Sequence, residues 1–306
     1  MGKNTFMKRM ASDMSVCSLR FFLATVTVIP RKVLNLIRQI LFTIAYPFMG
    51  RIRRICDNNL RSVFGDSRTQ EEYTAMIKGC IRYISQGMVD LLHFVQRPDG
   101  LLPITRVHNE EVLRQALSHG HGVIAVTAHL GNFPLMFVAL VQKGYKVNVI
   151  IRPMRDQKFS EFMFDLCDRR QVHMIPTYPR THFLRECLGA LKRNELLFIL
   201  LDEFVEEDSG ITVEFFNRQV PRGLGPILFQ SRTGSPVLPM FIIKNNEDGF
   251  EIFIEPPLDI KNGGAHAPEH DRVKIARLTK TIEEYVRRYP LQWGGWLNKR
   301  WSESLQ

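Results

Sequence analysis

The feature that most constrains the fold of this chain is a short apolar run followed at once by a polar turn. Residues 123–127 are small or β-branched and indicate a buried strand, and residues 128–134 bring a histidine, a glycine and an asparagine together. In α/β proteins the chemistry lies at the carboxyl ends of such strands. His129 is therefore a candidate functional residue, and a histidine that only caps the strand or borders the core is the alternative.

Helix and strand patterns alternate after this turn. Helices are predicted at residues 134–143, 158–170, 182–193, near 226–232 and at about 271–289, and strands at 146–151, 172–175, 196–201, 211–216, 237–243 and 250–254. This alternation predicts an α/β fold with a mostly parallel central sheet and helices on both faces. Residues 51–95 have helical periodicity and are expected to form an amphipathic bundle before the sheet.

Several function classes lack sequence support. The five cysteines are scattered without a C-x-x-C pair, which argues against a disulfide framework and a zinc site and fits a reducing compartment. His119 and His121 lie in a glycine-flanked loop without nearby metal-ligating partners. Walker, G-x-G-x-x-G and G-x-S-x-G motifs are missing, so nucleotide chemistry and serine hydrolysis have no support. We therefore predict no metal and no cofactor.

The positive charge is concentrated at the start of the chain. The net charge is +10, and residues 1–56 hold ten bases and one acid. A basic, apolar segment on a nearly neutral body favours an anionic membrane surface over nucleic acid as the partner. Residues 1–56 are thus predicted to be a membrane-associating segment, and residues 57–306 an α/β domain.

Two apolar runs lie in this segment, at residues 21–30 and 40–49. Both are shorter than the roughly 20 apolar residues that cross a bilayer. We predict that they are helices lying in the membrane interface, and a helical lid packed on the catalytic body is the alternative.

The order of several short motifs resembles a known family. The motifs lie at residues 58–61, 128–132, 151–153, 201–203, 215–218, 225–226, 232–237, 289–293 and 300–301. From about residue 20 to 302 the chain resembles the bacterial lipid A biosynthesis acyltransferases, the lauroyl and myristoyl transferases of the lysophospholipid acyltransferase superfamily.

This resemblance implies a reaction and a place in the cell. A fatty acyl chain would pass from an acyl carrier protein (or CoA) thioester to a hydroxyl of a lipid A precursor or a related membrane lipid. The reaction would occur at the cytoplasmic face of the bacterial inner membrane. The implied partners are acyl carrier protein, an anionic lipid acceptor and the membrane surface, whereas the oligomeric state is not predicted.

The resemblance also implies a general base. In the family motif a histidine is followed, five positions on, by an Asp or Glu that orients it. His129 matches the histidine, but the second position holds Pro134, which cannot orient an imidazole. Asp202 and Glu203 follow a strand of the same predicted sheet, and Asp202 is favoured as the replacement because the family has an Asp close to its active site there.

Other candidates follow from the needs of acyl transfer. Gly131 and Asn132 are expected to present backbone N–H groups to the oxyanion. The family places an arginine near the reacting centre, and the match falls on Arg169 or Arg170, which the sequence does not separate. A surface arginine that is only solvated is the alternative for each.

Further residues are candidates for substrate or membrane contact. Arg152 is a candidate for a phosphate of the acceptor, and Arg218 and Arg222 are weaker ones. The pair Phe215 and Phe216 is expected to line an acyl groove, with ordinary core packing as the alternative. The C-terminal aromatic and basic residues are expected at the lipid headgroups or packed on the last helix; they are Trp293, Trp296, Lys299, Arg300 and Trp301.

The departure at Pro134 leaves two functions open. One is an active acyltransferase with His129 as base. The other is a lipid-binding or regulatory relative that has kept the fold and lost the reaction.

Overall fold

The structure is a computed structural model that describes residues 29–65, 67–152, 157–203, 205, 210–258 and 268–298. The predicted helix at residues 21–30 falls almost entirely outside the described residues, and so do Lys299, Arg300 and Trp301.

Within the described residues, three helices precede the central sheet: α1 (Arg31–Ala45), α2 (Gly50–Phe64) and α3 (Gln70–Gln96). Helices α2 and α3 confirm the predicted helical region at residues 51–95. Helix α3 begins with a capping box, in which the Thr69 hydroxyl accepts from the Glu72 N–H and the Glu72 carboxylate accepts from the Thr69 N–H. Helix α2 runs without a break through residue 56, where the predicted membrane segment ends, and that division of the chain stays a prediction.

The predicted helix at residues 40–49 is wrong in its bounds. Helix α1 already begins at Arg31 and ends at Ala45, and residues Tyr46–Phe48 form a short 3-10 turn. The reason is that apolar positions recur at intervals of three and four from residue 33 to 44, so the basic residues between them do not interrupt the helix.

The central sheet has seven strands within the described residues. They are β1 (Thr105–His108), β2 (Val123–Thr127), β3 (Val147–Ile151), β4 (Val172–Pro176), β5 (Leu196–Leu200), β8 (Val237–Lys244) and β9 (Phe250–Ile254). The order of the strands across the sheet is β1-β9-β8-β2-β5-β3-β4, and every neighbouring pair is parallel except β8 and β9. A separate antiparallel hairpin contains β6 (Gly210–Glu214) and β7 (Gln219–Gly223).

In the part of the chain that the structure describes, six further helices connect or follow these strands. They are α4 (Glu110–Ser118), α5 (Phe133–Gln142), α6 (Gln157–Asp168), α7 (Arg180–Lys192), α8 (Gly225–Thr233) and α9 (Pro268–Arg288). The mostly parallel α/β fold is confirmed. The sequence patterns did not predict β1, α4 or β7, which are short or weakly periodic.

Two apolar cores lie on opposite faces of the sheet. Because side chains alternate along a strand, Ile124 and Val126 of β2 face α7, α8 and α9, whereas Val123 and Ala125 face α4 and α5. The sheet is covered on both sides, which explains why β2 and β5 are apolar along their whole length.

A buried charge cluster attaches α1 to the body. The carboxylate of Asp90 on α3, whose side chain has no exposed surface, lies 2.7 Å from Nη2 of Arg31 and 2.5 Å from Nζ of Lys244. Asp248 pairs with the same two cations. The first residue of α1 is thereby tied to α3 and to the end of β8.

Helix α1 also has an apolar face turned away from the body. Phe42 is buried against the body, whereas six apolar side chains on the other side are exposed: Val33, Leu36, Ile37, Ile40, Leu41 and Ile44. Among the described residues, no single helix is long and apolar enough to cross a bilayer, and only the bent pair Arg31–Phe48 and Gly50–Phe64, which turns through 83°, meets that test together.

Candidate active site

The candidate site lies at the carboxyl end of β2, where the chain turns before α5. Gly131 allows this turn: its φ is +62°, and a Cβ atom there would lie 1.7 Å from the carbonyl oxygen of Ile242. The Gly131 N–H donates to the carbonyl of Gln292 at 2.9 Å. The turn holding His129 is thus fixed by close contact with its neighbours.

A carboxylate lies beside His129 although position 134 holds a proline, and it is that of Asp202. It follows β5, which is the neighbour of β2, and the pairing of Thr127 with Leu200 brings the two strand ends together. Oδ1 of Asp202 lies 2.9 Å from Nδ1 of His129. This distance is within hydrogen-bonding range.

The carboxylate of Asp202 receives two further hydrogen bonds. Its Oδ2 accepts from the backbone N–H of His129 at 2.9 Å and from the indole N–H of Trp293 at 2.8 Å. Burial raises the pKa of Asp202, but the hydrogen bond and charge of His129, together with the other two donors, hold it below its usual range. An ionised carboxylate only accepts, so Nδ1 of His129 carries the hydrogen and Nε2 is left with a lone pair when the ring is neutral.

The other ring nitrogen of His129 faces the cavity. Nε2 lies 3.8 Å from Oε1 of Glu203, and the ring meets Phe133 edge-on with centroids 5.2 Å apart. The His129 side chain is 37% exposed, whereas that of Asp202 is 2% exposed. Burial lowers the pKa of His129, but the hydrogen bond and charge of Asp202 and the charge of Glu203 outweigh it and raise the pKa above its ordinary value.

A largely apolar cavity of about 910 Å³ opens beside His129. Its lining comes from both faces of the sheet near the ends of β3 and β5. On one face the lining residues lie mainly on α3, α5 and α6, and they are Leu91, Val95, Phe133, Pro134, Phe137, Val138, Met163, Leu166 and Cys167. On the other face they include Phe183 and Leu184 of α7 and Leu228 and Phe229 of α8. The volume is that of a site for a drug-sized or lipid ligand.

Pro134 is compatible with its position for a local reason. It is the second residue of α5, where its missing N–H would have no intrahelical partner in any case. Its ring lines the cavity next to His129. The position that holds an acid in the related family is therefore part of an apolar wall here.

The two candidate arginines at the end of α6 are separated by the structure. Arg169 pairs with Asp165 on the exposed side of the helix, whereas Arg170 lines the cavity and donates to the carbonyl of Gln96. Because β3 and β4 are parallel, α6 runs back along the sheet, and Arg170 precedes the amino end of β4. That end is roughly 13 Å from the catalytic edge at about 3.3 Å per residue. The backbone of Arg170 thus lies about one strand length from the end of β2, whereas its side chain lines the same cavity as His129, and a role for Arg170 in the reaction stays a prediction.

The expected backbone donors are partly engaged. The Gly131 N–H already donates to Gln292, so Gly131 does not present a free donor to an oxyanion. Asn132 is buried, and its side-chain amide donates to the carbonyl of Gly87 on α3. Both residues fix the turn and α5 in place.

The other candidate arginines differ in exposure. Arg152 and Glu203 both line the cavity, and Nε of Arg152 lies 3.6 Å from Oε2 of Glu203 at the exposed rim. Arg222 is buried, donates to the carbonyls of Asp202 and Glu203 and lies over the Phe215 ring, so it supports the Asp202 turn. Arg218 donates to the carbonyl of Ser62 on α2.

The expected aromatic groove and headgroup contacts are wrong for four residues. Phe215, Phe216, Trp293 and Trp296 are all buried and pack on one another behind the site. Phe216 is therefore a core residue, and the packing alternative holds for both tryptophans. Burial of these large rings against α2 and α9 outweighs any affinity of indole for a membrane interface.

Sequence reasoning missed the role of Trp293 and the cavity residues of α5 and α6. Trp293 was considered as part of a motif and for contact with lipid headgroups or packing on the last helix, and nothing in its spacing connects it with Asp202. The cavity wall could have been suspected from Phe133 and Phe137, which lie four residues apart at the start of a very apolar helix. In the part of the chain that the structure describes, no three metal-ligating side chains are grouped to hold a metal ion.

Comparison with known proteins agrees with this geometry. The model of the bacterial lipid A biosynthesis acyltransferase family matches residues 9–303. Phosphatidylinositol mannoside acyltransferases from two strains of Mycobacterium tuberculosis are 23% identical over 156 residues, which is 51% of this chain. That match spans about half, 49%, of the length of each of these relatives. Because the family model covers nearly the whole chain, the protein belongs to the bacterial lipid A biosynthesis acyltransferase family.

Proposed function

We propose that this protein transfers a fatty acyl chain from an acyl carrier protein or CoA thioester to a hydroxyl of a lipid A precursor or a related membrane lipid. The observation that carries the proposal is the pair of His129 and Asp202 at the rim of an apolar cavity. Membership of an acyltransferase family supports the reaction class. The M. tuberculosis relatives support a wider group of acceptors, because their name describes a mannosylated phosphatidylinositol.

In this mechanism His129 is the general base. Its neutral Nε2 takes the proton of the acceptor hydroxyl while the oxygen attacks the thioester carbonyl. The tetrahedral intermediate then collapses, the carbon–sulfur bond breaks, and the leaving thiolate takes the proton from His129. Asp202 keeps the hydrogen on Nδ1 and stabilises the imidazolium that forms between the two steps.

The acyl chain is proposed to occupy the part of the cavity that α5 and α6 line. Each of these helices follows a strand that ends at the edge of the sheet where His129 lies, and their lining residues include Phe137, Val138, Met163 and Cys167. Each methylene buried there stabilises the complex by about 0.8 kcal/mol. Burial raises the pKa of the Cys167 thiol to about 11, so this wall is uncharged at neutral pH.

Arg152 and Glu203 are proposed to contact the acceptor at the rim. Arg152 is exposed and carries a permanent positive charge, which suits a phosphate of an anionic lipid. Glu203, whose Oε1 lies 3.8 Å from Nε2 of His129, is placed to accept a hydrogen bond from a second hydroxyl of the acceptor, because the reacting hydroxyl donates its only hydrogen to His129.

The protein is proposed to lie on the cytoplasmic face of the bacterial inner membrane through α1. Its exposed apolar face, defined above, is continued by Phe48, which is 86% exposed. Arg51 and Arg54 are exposed on the next turn of chain and would meet anionic headgroups. This arrangement is typical of an interfacial helix.

The test is acyl transfer from a panel of acyl carrier protein and CoA thioesters to lipid A precursors, phosphatidylinositol mannosides and bacterial lipid extracts. Wild type is compared with His129→Ala and with His119→Ala, a control at an exposed histidine. We expect a new acylated lipid with wild type and His119→Ala, and a loss of about 10²- to 10⁴-fold with His129→Ala. An unchanged rate in His129→Ala would contradict the mechanism.

The alternative of a lapsed, lipid-binding relative rests on Pro134 alone. The Asp202 contact removes the main reason for it, since an orienting acid is present by another route. A wild-type protein that is inactive with every donor and acceptor but binds acylated lipids would favour this alternative.

A further inference from the structure

A short segment near the end of the described chain braces the catalytic turn. It comprises two 3-10 turns, Pro290–Gln292 and Gly294–Leu297, with Trp293 between them. The Gly131 N–H donates to the carbonyl of Gln292 at 2.9 Å, and the Gly294 N–H donates to the carbonyl of His129 at 2.8 Å. This segment therefore holds the backbone on both sides of Leu130, which forms a β-bridge with Trp293.

The side chain of Trp293 reaches the acid of the pair from the same segment. Its indole N–H donates to Oδ2 of Asp202 at 2.8 Å, while Oδ1 accepts from His129. The indole is 2% exposed, and its ring centroid lies 4.6 Å from that of Trp296 and 5.7 Å from that of Phe216. Packed in this way, the indole has little room to turn, so the N–H is a fixed donor.

We propose that Trp293 is a positioning residue for proton transfer, which holds the carboxylate of Asp202 so that Oδ1 faces Nδ1 of His129. This inference rests on the proposed function of His129 and Asp202. A buried carboxylate with its second oxygen fixed by a directional donor cannot rotate, and the imidazole is then held with Nε2 toward the cavity. Of the aromatic residues packed behind the site, Trp293 is the one whose indole N–H reaches Asp202, and the proposed role belongs to that N–H.

Loss of the indole donor has a predictable electrostatic effect. With one donor fewer on Oδ2, the charge of Asp202 is less dispersed, and the carboxylate becomes a stronger acceptor for the hydrogen on Nδ1. The imidazolium form of His129 is then stabilised further. The pKa of His129 rises, and the looser carboxylate lowers the fraction of turnovers in which Nε2 is aligned.

The test compares Trp293→Phe with Trp296→Phe in the full chain. Both changes remove an indole N–H and keep a buried ring, but the N–H of Trp296 donates to the carbonyl of Pro290 and not to a carboxylate. The pKa of His129 is measured by NMR titration of histidine-labelled protein, and kcat and KM are measured against pH. We expect Trp293→Phe to raise the pKa of His129, move the acid limb of kcat to higher pH and lower kcat about tenfold with KM nearly constant. Trp296→Phe should leave the pKa of His129 and the pH midpoint of kcat unchanged.

The inference would be overturned if the pKa of His129 and the pH midpoint of kcat were the same in the two variants, or if neither changed in Trp293→Phe. The NMR titration does not need turnover, so it separates failure of this inference from failure of the proposed function, which His129→Ala tests. A measurement on wild type covers the case in which a variant does not fold. In tryptophan-labelled wild-type protein the indole resonance of Trp293 should shift with the His129 titration and that of Trp296 should not; a Trp293 resonance that ignores the titration contradicts the proposal.

Discussion

Oδ1 of Asp202 lies 2.9 Å from Nδ1 of His129, although 73 positions separate the two residues in the chain. The contact forms because β2 and β5 are parallel neighbours that end at the same edge of the sheet. An acid from an adjacent strand thus occupies the place that the related family fills with an acid on the same turn as the histidine.

Substitution of Asp202 by asparagine tests this replacement. Asp202→Asn keeps the size of the side chain but removes the charge that stabilises the imidazolium, and we expect kcat to fall by about 10²-fold or more. Acyl transfer assays measure the fall. Asp165→Asn, at an exposed carboxylate on α6, is the matched control and should retain the wild-type rate. A rate in Asp202→Asn within twofold of wild type would contradict the assignment.

The rate should depend on pH through His129. The base works only when neutral, and its pKa is raised, so kcat/KM should fall as pH drops through a midpoint above the ordinary histidine value of about 6.5. In Asp202→Asn the main cause of the increase is gone, and the midpoint should move to lower pH. Initial rates between pH 5 and 9 provide the measurement. A wild-type midpoint below that of Asp202→Asn would be inconsistent with the proposed pair.

Introduction of an acid at position 134 should not increase the rate of acyl transfer. In Pro134→Glu the new carboxylate would find Nδ1 of His129 already bonded to Asp202, and it would place a charge in the apolar wall of the cavity. We expect activity at or below that of wild type, with Pro134→Ala as the control for loss of the ring. A gain of tenfold or more in Pro134→Glu would show that Asp202 does not replace the missing acid.

The length of the acyl chain that the protein accepts should depend on how far the cavity extends along α6. Met163 and Cys167 both line the cavity, and Cys167 lies one turn, about 6 Å, farther from the catalytic edge. Cys167→Trp should therefore reject long acyl donors and spare short ones, whereas Met163→Trp should reduce the rates of both. The ratio of long-chain to short-chain rates within each protein is the measurement. An unchanged ratio in Cys167→Trp would place the acyl chain elsewhere.

Membrane binding should depend on the exposed face of α1. The double substitution Leu41→Glu and Ile44→Glu puts two charges on that face, and we expect vesicle binding to fall at least tenfold in sedimentation with vesicles containing anionic lipid. Val273→Glu adds a charge at a similarly exposed apolar residue on α9 and serves as the control. Equal loss in the two proteins would mean that α1 is not the docking face.

Regular elements were the part of this fold that local sequence patterns could predict. The strands β2 and β5 and the helix α9 have uninterrupted apolar or 3.6-residue periodicity, and their positions are confirmed within a few residues. Helix α1 was misplaced because its outward face is also apolar, which hides the periodicity of its buried face. Strand β7 is short and half-polar, so no period marks it.

The sequence predicted those parts of the site in which a reactive or charged residue follows a buried strand. His129 and Asp202 were proposed because both are polar residues that follow buried strands, and Asp202 was chosen over Glu203 on the family resemblance. Phe216 was assigned to an acyl groove and lies in the core, and the surroundings of Trp293 were left open, because composition does not reveal whether an aromatic residue packs inward or outward. The link from Trp293 to Asp202 depends on the tertiary path of the last segment, which local patterns do not encode.

The buried cluster around Asp90 has a consequence for how the protein would sit on a bilayer. Arg31 at the start of α1 and Lys244 at the end of β8 share this carboxylate, and the side chain of Gln292 is bonded to the backbone of Lys244 on both its N–H and its carbonyl. If α1 lies in the membrane as proposed, its axis and the edge of the sheet are joined by short, buried contacts. The tilt of the protein on the lipid surface then sets the height at which the cavity mouth meets the headgroups, and with it which hydroxyl of a lipid can come within reach.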